Sequence, residues 1–367
     1  MSLDTTFLLF LLLRIGVFLL GMSMVIYTLI SAVRTFVLPR SAPDALVRKV
    51  FLFIRTLFNF RVAMVHTFAE KDGIMAMYAP ISLLALPMVW LAFILTGYMG
   101  MFWALGVSSW WDAYNVSGSS LFTLGFHQID DFVKITLTFS EAAIGLLLIA
   151  LLISYLPTMY SAFSKREEAV TMLEVRAGSP PSAIEMLKRF YRLKRLDKLA
   201  DLWLSWEIWF VQLEESHTSL PALAFFRSPQ AHRSWITAAG AVLDTAALVT
   251  STVDTPYDAQ ADLCIRAGFL ALQHIASFFR IPYDPTPQPT DPISVTREEY
   301  DTACAELAIA GIPLKTDREK AWRDFAGWRV NYDTVLLVLA HLVMAPPAPW
   351  SSDRHIQRVQ RSLLKSK

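Results

Sequence analysis

Three long apolar stretches in the first 165 residues constrain the fold of this chain more than any other feature. Residues 15–33 contain no charged side chain, and neither do residues 74–111 and 142–164. A helix needs about 20 consecutive apolar residues to cross about 30 Å of hydrocarbon. The sequence therefore predicts three transmembrane helices, followed by a water-soluble part that begins at residue 165.

The charge pattern predicts which side of the membrane each connecting segment occupies. Residues 34–72 carry seven basic and three acidic side chains, which places this loop in the cytoplasm by the positive-inside rule. Residues 108–131 carry only acidic charges, and Lys165 and Arg166 directly follow the third apolar run. We expect the inner (plasma) membrane, with the N-terminus outside and the C-terminal part in the cytoplasm.

The N-terminal apolar run differs from a secretory signal peptide. Asp4 precedes it, Arg14 lies within it, and no small-residue cleavage site follows it, so we expect a retained helix. The chain then divides into four predicted segments: 1–38, an N-terminal transmembrane helix; 39–73, a basic amphipathic cytoplasmic linker; 74–164, a pore domain; and 165–367, a helical cytosolic domain. Residues 44–66 suit either a helix lying on the lipid of the inner leaflet or one packed on the membrane domain.

Composition and motifs exclude several function classes. The chain is 54% hydrophobic and 18% charged with a net charge of +1, so no nucleic-acid-binding face is expected. Its two cysteines, Cys264 and Cys304, lack the CxxC spacing of metal and redox sites, and we predict no metal site and no cofactor. The GxSxG, HExxH and Walker motifs are absent from the sequence, and we predict that the protein is not an enzyme.

The stretch SSLFTLGFHQ, residues 119–128, interrupts the apolar runs with a short uncharged loop. Non-helical backbone at membrane depth is tolerated only where protein buries it or where it lines a water-filled cavity. Presenting backbone carbonyls to an ion is a purpose that suits such a loop. We predict a short helix over residues 110–120 that descends into the membrane. An extended segment over residues 123–126 follows, with Gly125 at an unusual backbone angle.

Residues 123–126, Thr-Leu-Gly-Phe, resemble the Thr-Val-Gly-Tyr filter core of the potassium-channel pore family. The following apolar helix resembles the inner helix of bacterial two-helix potassium channels, and Gly145 stands about where a gating-hinge glycine is expected. The resemblance covers residues 78–163, under a quarter of the chain. It implies an all-α membrane protein with an outer helix, a re-entrant pore helix and filter, and an inner helix. It also implies a homotetramer around one axis, with K⁺ as the permeant ion.

The same resemblance assigns roles within the loop. It implies hydroxyl and carbonyl ligands from Thr123, and carbonyl ligands from Leu124, Gly125 and Phe126. His127 occupies the position of the family's next glycine, where a Cβ disfavours a positive φ, so the choice between K⁺ and other cations is open.

The outer end of the loop adds titratable groups. Gln128 stands where the family usually has Asp, and Asp130 and Asp131 are placed to concentrate cations at the outer mouth.

Two interpretations of the role of His127 are open. Four imidazoles around an axis would repel cations when protonated, since an imidazole ordinarily titrates near ~6.5. Alternatively, the side chain turns sideways to hydrogen-bond the pore helix, for example at Asp112.

Two charged side chains fall within the predicted spans. Glu141 at this depth needs a partner, water or a proton, and the candidate partners are Lys134 and Arg14 of another helix; we assign Glu141 a supporting role in the pore. Gating is expected at Gly145 or at a kink at Pro157.

The soluble half is predicted to be helical, and its sequence lacks the GxGxxG fingerprint of a nucleotide-binding domain. Its cytosolic ligand or partner is therefore unknown. The predicted function is a tetrameric cation channel gated through the cytosolic domain. The alternative is a non-conducting membrane-anchored sensor or scaffold with a channel-like membrane part.

Overall fold

The computed structural model describes residues 2–37, 44–127 and 129–354 of the 367-residue chain. The described residues form thirteen α-helices and two short 3₁₀ helices, with one isolated bridge between Val253 and Leu314 and no strand. The all-helical fold predicted from the sequence is thus confirmed for this part of the chain. The α-helices are α1 (Ser2–Phe36), α2 (Ala45–Ala63), α3 (Phe68–Ala76), α4 (Tyr78–Ala104), α5 (Trp110–Leu121), α6 (Phe132–Ala177), α7 (Ala183–Arg192), α8 (Leu199–Ser219), α9 (Trp235–Ser251), α10 (Ala259–Phe278), α11 (Arg297–Ile309), α12 (Arg318–Arg329) and α13 (Asp333–Leu342).

The chain divides into two compact units. The first unit comprises Met1–Ala63 and Met77–Tyr160, and the second comprises Met64–Ala76 and Ser161–Lys367. Three stretches are long and apolar enough to cross a membrane: Thr5–Phe36, Phe68–Ala104 and Phe132–Ala177. Helix α6 continues without a break for thirteen residues past residue 164, where the sequence placed the end of the pore domain.

Helices α1 and α4 of the first unit run antiparallel and touch through glycines. A Cβ on Gly21 would lie 2.3 Å from the Gly97 carbonyl oxygen, and one on Gly97 would lie 2.8 Å from the Gly21 oxygen. Because lipid is as apolar as the side chains, membrane helices associate through close van der Waals packing, which small residues permit. The two glycines therefore set the crossing of these helices.

A chain of polar contacts fixes α2 against this pair. The indole of Trp90 in α4 donates to Ser31 Oγ in α1 at 3.2 Å, and Ser31 Oγ donates to Asp44 Oδ1 at 2.9 Å. The same Asp44 oxygen accepts the backbone N–H groups of Leu46 and Val47, so it caps the start of α2. One carboxylate thus joins three helices.

The second unit is built around α9, which is buried along nearly its whole length. Inside it, the guanidinium of Arg329 is fully buried against the carboxylates of Asp244 and Asp333. Burial alone would lower the pKa of Arg329, but the two carboxylates raise it, so the side chain stays charged. Tyr332 donates to Asp244 at 2.8 Å. Breaking such a pair would leave an uncompensated buried charge, so the network strongly favours one packing arrangement.

Candidate functional site

Helix α5 re-enters the first unit from the end at which α4 finishes. Its first residue, Trp110, stacks on Trp103 of α4 with ring centroids 4.9 Å apart, and its twelve residues rise about 18 Å. Its last residue, Leu121, touches Gly145, which lies thirteen residues into α6, or about 20 Å along that helix. The two lengths agree, so α5 and α6 begin at about the same level along the first unit.

The start of α5 is capped by polar side chains. Ser109 Oγ accepts the backbone N–H of Asp112 at 3.0 Å. The Asp112 carboxylate in turn accepts the hydroxyls of Ser108 at 2.5 Å and Ser109 at 2.8 Å. A carboxylate in the first turn also suits the positive end of the helix dipole. Because Asp112 is engaged in this cap, it makes no hydrogen bond to His127 within the described residues.

The end of α5 closes in a tight turn. Thr123 N–H donates to Ser120 O at 3.0 Å and Leu124 N–H donates to Ser119 O at 2.8 Å, the bond pattern of a Schellman motif. Thr123 has φ +53°, in the left-handed region that a β-branched residue rarely adopts. Backbone strain of this kind persists only where the surroundings enforce it, and it concentrates at functional sites.

Ser119 collects the N–H groups of the loop. Its carbonyl oxygen accepts from Leu124 at 2.8 Å and from Gly125 at 3.4 Å, and its hydroxyl accepts from Phe126 at 3.1 Å and His127 at 3.3 Å. Four successive N–H groups therefore face the interior of the unit. The carbonyl oxygens of residues 123–126 accept no hydrogen bond from the described part of the chain.

Ser119 is the residue that sequence reasoning missed. It is 3% exposed and stands eight residues before His127, too far along the chain for a sequence pattern to pair them. A serine in the last turn of a predicted pore helix was the available signal.

The structure corrects the expected extended conformation of residues 123–126. The capture of successive N–H groups by Ser119 curls the segment, with Thr123 at φ +53° and Gly125 at φ +69°. The unusual backbone angle predicted for Gly125 is confirmed. The Thr123 hydroxyl donates to Phe122 O at 2.8 Å, so its hydrogen is engaged while its oxygen keeps lone pairs.

The loop side chains are exposed in the single chain. Leu124 is 63% exposed and Phe126 is 62% exposed, and Thr123, Gly125 and His127 are exposed as well. Non-helical backbone is thus uncovered over residues 122–127 of the single chain.

Gly145 is where α6 closely contacts the end of α5, the helix that leads into the loop. A Cβ there would lie 2.3 Å from Leu121 O and 3.2 Å from Leu121 Cδ1. The absent side chain therefore lets α5 end directly on α6. Pro157, the other predicted gating position, lies inside the same helix, which continues past it to Ala177.

The structure corrects the partners expected for Glu141. Its side chain is fully buried, and Oε1 lies 2.5 Å from Ser117 Oγ rather than near Lys134 or Arg14. Ser117 Oγ also lies 3.1 Å from Leu95 O. One hydroxyl hydrogen cannot serve both acceptors, so a neutral carboxyl that donates to Ser117 satisfies the geometry best. The reason for the change of partner is position, since α5 occupies the space beside Glu141.

Arg14 lies elsewhere, at the aromatic end of the first unit. Its guanidinium is 4.5 Å from the centroid of the Phe10 ring and 5.9 Å from that of Trp103. Such contacts with aromatic faces suit a cation at the membrane boundary.

The three residues predicted at the outer mouth are Gln128, Asp130 and Asp131. Asp131 Oδ1 accepts the N–H of Lys134 at 3.1 Å and so caps α6, and its side chain is exposed. Asp130 is also exposed. Gln128 lies outside the described residues.

The described residues of the second unit line a cavity of about 310 Å³. Three carboxylates line it, and each already has a basic partner: Asp244 with Arg329, Glu299 with Arg354, and Glu306 with Lys188. Within residues 2–37, 44–127 and 129–354, no group of three or more His, Cys, Asp or Glu side chains is arranged to hold a metal ion.

Comparisons with models of protein families, with curated proteins and with solved structures find no match to this chain.

Proposed function

We propose that this chain is the subunit of a homotetrameric cation channel, K⁺-conducting, in which residues 123–126 form the filter. The observation that carries the proposal is the polarity of the loop backbone. Its N–H groups are held by Ser119 and Ser120, while the carbonyls of residues 123–126 have no hydrogen-bond donor among residues 2–37, 44–127 and 129–354. Carbonyl oxygens with no other partner are suited to replace the hydration shell of a cation.

Exposure of the loop favours assembly around it. Uncovered backbone about 18 Å below the level of Trp103 must face water or protein rather than acyl chains. A ring of subunits around a water-filled axis would surround the loop with protein on one side and water on the other. Copies of this chain are therefore the expected neighbours of Leu124 and Phe126.

The proposed gate lies in α6. Bending or rotation of this helix near Gly145 would move the contact that supports the end of α5, and Pro157 lacks the N–H of a regular helix turn. Because α6 runs unbroken from the first unit into the second, changes in the second unit have a covalent path to the gate.

The second candidate is a non-conducting membrane anchor for a sensor or scaffold. It is favoured by His127, whose Cβ stands where a filter of the potassium-channel type has glycine. In that case the loop would be a structural remnant that carries no ion.

K⁺ flux from liposomes that contain the purified full chain separates the two candidates. The test variant is Gly125→Ala, since Gly125 has φ +69° and no atom within 4 Å of an added Cβ. The left-handed conformation costs a residue with Cβ roughly 1–2 kcal/mol, and about 1.4 kcal/mol is a tenfold change in population. We expect flux to fall by about tenfold or more because every subunit carries the change.

The matched control is Gly106→Ala. Gly106 also has a positive φ of +93°, and its added Cβ would lie 3.7 Å from Arg14 Nη1, an ordinary van der Waals contact, but it lies in the turn after α4 rather than in the proposed filter. Its flux should equal that of the unmodified chain. Flux that survives Gly125→Ala unchanged would contradict a carbonyl filter, and no flux from the unmodified chain would favour the anchor.

A further inference from the structure

Helix α2 lies at headgroup depth on the side of the first unit opposite Trp103. Tyr78 Oη donates to Phe51 O at 3.3 Å, and the Tyr78 ring lies 6.1 Å from that of Phe51 and 5.9 Å from that of Phe58. Tyr78 and Trp103 are separated by about 38 Å along α4. The hydrocarbon core is about 30 Å thick, so with Trp103 at one boundary α2 falls in the opposite interfacial layer.

Only one apolar face of α2 is used for packing within the protein. Leu46, Val50 and Ile54 are buried, one per helical turn. Large apolar side chains beside this buried stripe remain exposed in the single chain, and Phe53 and Phe60 are each 66% exposed. Leu52 and Leu57 are exposed as well, at 56% and 53%. One of the two alternatives drawn from the sequence, packing on the membrane domain, thus holds for Leu46, Val50 and Ile54, while other apolar side chains of α2 stay uncovered.

The charge of α2 indicates that the occupant of this exposed surface is negatively charged. The helix carries Arg48, Lys49, Arg55 and Arg61 and contains no acidic residue. Arg48, Lys49 and Arg61 are exposed beside the apolar side chains. Apolar side chains interleaved with cations match the acyl–headgroup boundary of an anionic leaflet.

We propose that α2 is an interfacial helix that binds anionic phospholipid. Phe53, Phe60 and their apolar neighbours enter the acyl boundary, and Arg48, Lys49 and Arg61 bind the lipid phosphates. The lipid surface is the fitting occupant because α2 stands between two candidate spans, Thr5–Phe36 and Phe68–Ala104, which fix it at the bilayer surface. This inference does not depend on ion conduction.

The first test measures stabilisation of the full chain by lipid. The chain is placed in nanodiscs of phosphatidylcholine alone or of phosphatidylcholine with phosphatidylglycerol, and thermal unfolding midpoints are compared. Phosphatidylglycerol should raise the midpoint of the unmodified chain. A variant combining Arg48→Ala, Lys49→Ala and Arg61→Ala should lose more than half of that shift.

The control removes the same charge elsewhere, by combining Arg192→Ala, Arg195→Ala and Lys198→Ala, three exposed positions of the second unit. It should keep the full shift, and inorganic phosphate should produce none. Equal shifts in the two triple variants, or an equal shift from inorganic phosphate, would overturn the proposal.

The second test measures depth with spin labels at Phe53→Cys and Phe60→Cys. Labelling is selective because Cys264 and Cys304 are buried. Both labels should collide with oxygen more than with a water-soluble nickel complex, and a label at Leu193→Cys, 67% exposed in the second unit, should show the reverse. Labels on α2 that behave like the Leu193 label, or that neither reagent reaches because protein covers them, would overturn lipid insertion.

Discussion

Ser119 acts at the residue scale by supplying both of its oxygens to the backbone that follows it. Its carbonyl and hydroxyl hold the N–H groups of residues 124–127, and the carbonyls of residues 123–126 accept no hydrogen bond within the described part of the chain. The contact between Leu121 and Gly145 also depends on a single residue, since the absence of a side chain at Gly145 lets α5 end against α6. A proposed filter that depends on the direction of single peptide groups is thus held by two small residues.

Gly145→Ala should therefore destabilise the protein. Alanine ordinarily stabilises a helix interior over glycine by about 0.8–1 kcal/mol. At Gly145, however, the new Cβ would lie 2.3 Å from a backbone oxygen, and overpacking typically costs about 1–3 kcal/mol. Thermal unfolding of the full chain in detergent should show a lower midpoint.

Gly16→Ala is the matched control for that experiment. Gly16 is also in a membrane helix, but no atom lies within 4 Å of its added Cβ, so the midpoint should stay equal or rise. Similar shifts in the two variants would argue against the close contact at Gly145.

At the scale of elements, buried polar contacts join α6 to the rest of the second unit. The Arg166 guanidinium donates to Leu223 O and to Phe226 O, both at 2.8 Å, and lies 3.4 Å from His217 Nε2 in α8. His217 Nδ1 is 3.0 Å from Leu213 O, which can only accept, so Nδ1 carries the hydrogen and Nε2 faces the arginine as an acceptor. The imidazole is therefore neutral in the folded chain.

The His217 contact makes folding sensitive to acid. Burial, and then the charge of Arg166, hold the pKa of His217 well below its ordinary value of 6.5. In the unfolded chain this group takes up a proton as pH falls through 6.5, whereas in the folded chain it does not. Stability should therefore be fully present above about pH 7 and should decline as pH falls toward 5.

His217→Gln should flatten this dependence, because glutamine does not titrate and its oxygen can accept from Arg166. The measurement is the difference between unfolding midpoints at pH 7.5 and pH 5, with the exposed His341→Gln as the control. A variant at His217 that keeps the full pH difference would show that protonation occurs elsewhere.

The other connection to the second unit passes through α3. Asp72 is buried and pairs with Arg227, which also donates to Val343 O at 2.9 Å and Met344 O at 3.0 Å. Because only Met77 separates α3 from α4, and α6 itself enters the second unit, α4 and α6 are each joined along the chain to a segment of the second unit. This arrangement gives the second unit two covalent connections to the proposed pore.

At the scale of the whole molecule, the first unit leaves its loop uncovered, and assembly is the proposed remedy. Native mass spectrometry of the detergent-purified chain should show four copies. Disulfide cross-linking tests which part of the chain lies near the proposed axis. Phe126→Cys, expected close to that axis, should give linked subunits. Trp111→Cys, 69% exposed at the start of α5, should give none under the same oxidant.

A monomer in native mass spectrometry would contradict the four-fold assembly. Equal cross-linking at the two positions would show that chance collisions, rather than a shared axis, bring the subunits together.

The sequence by itself determined the three candidate spans, the all-helical fold, the short helix over α5 and the positive φ of Gly125. Each follows from a local rule, since apolar run length, helix periodicity and the absence of a Cβ act within a few neighbouring residues.

Only the tertiary structure decided which residues contact one another. Ser119 holds the loop, Ser117 contacts Glu141 in place of Lys134 or Arg14, and Gly145 meets Leu121. In α2, some apolar side chains are buried and others remain exposed. These contacts join residues on different helices or across a turn. Their geometry depends on how the helices pack, which residue spacing along the chain does not specify.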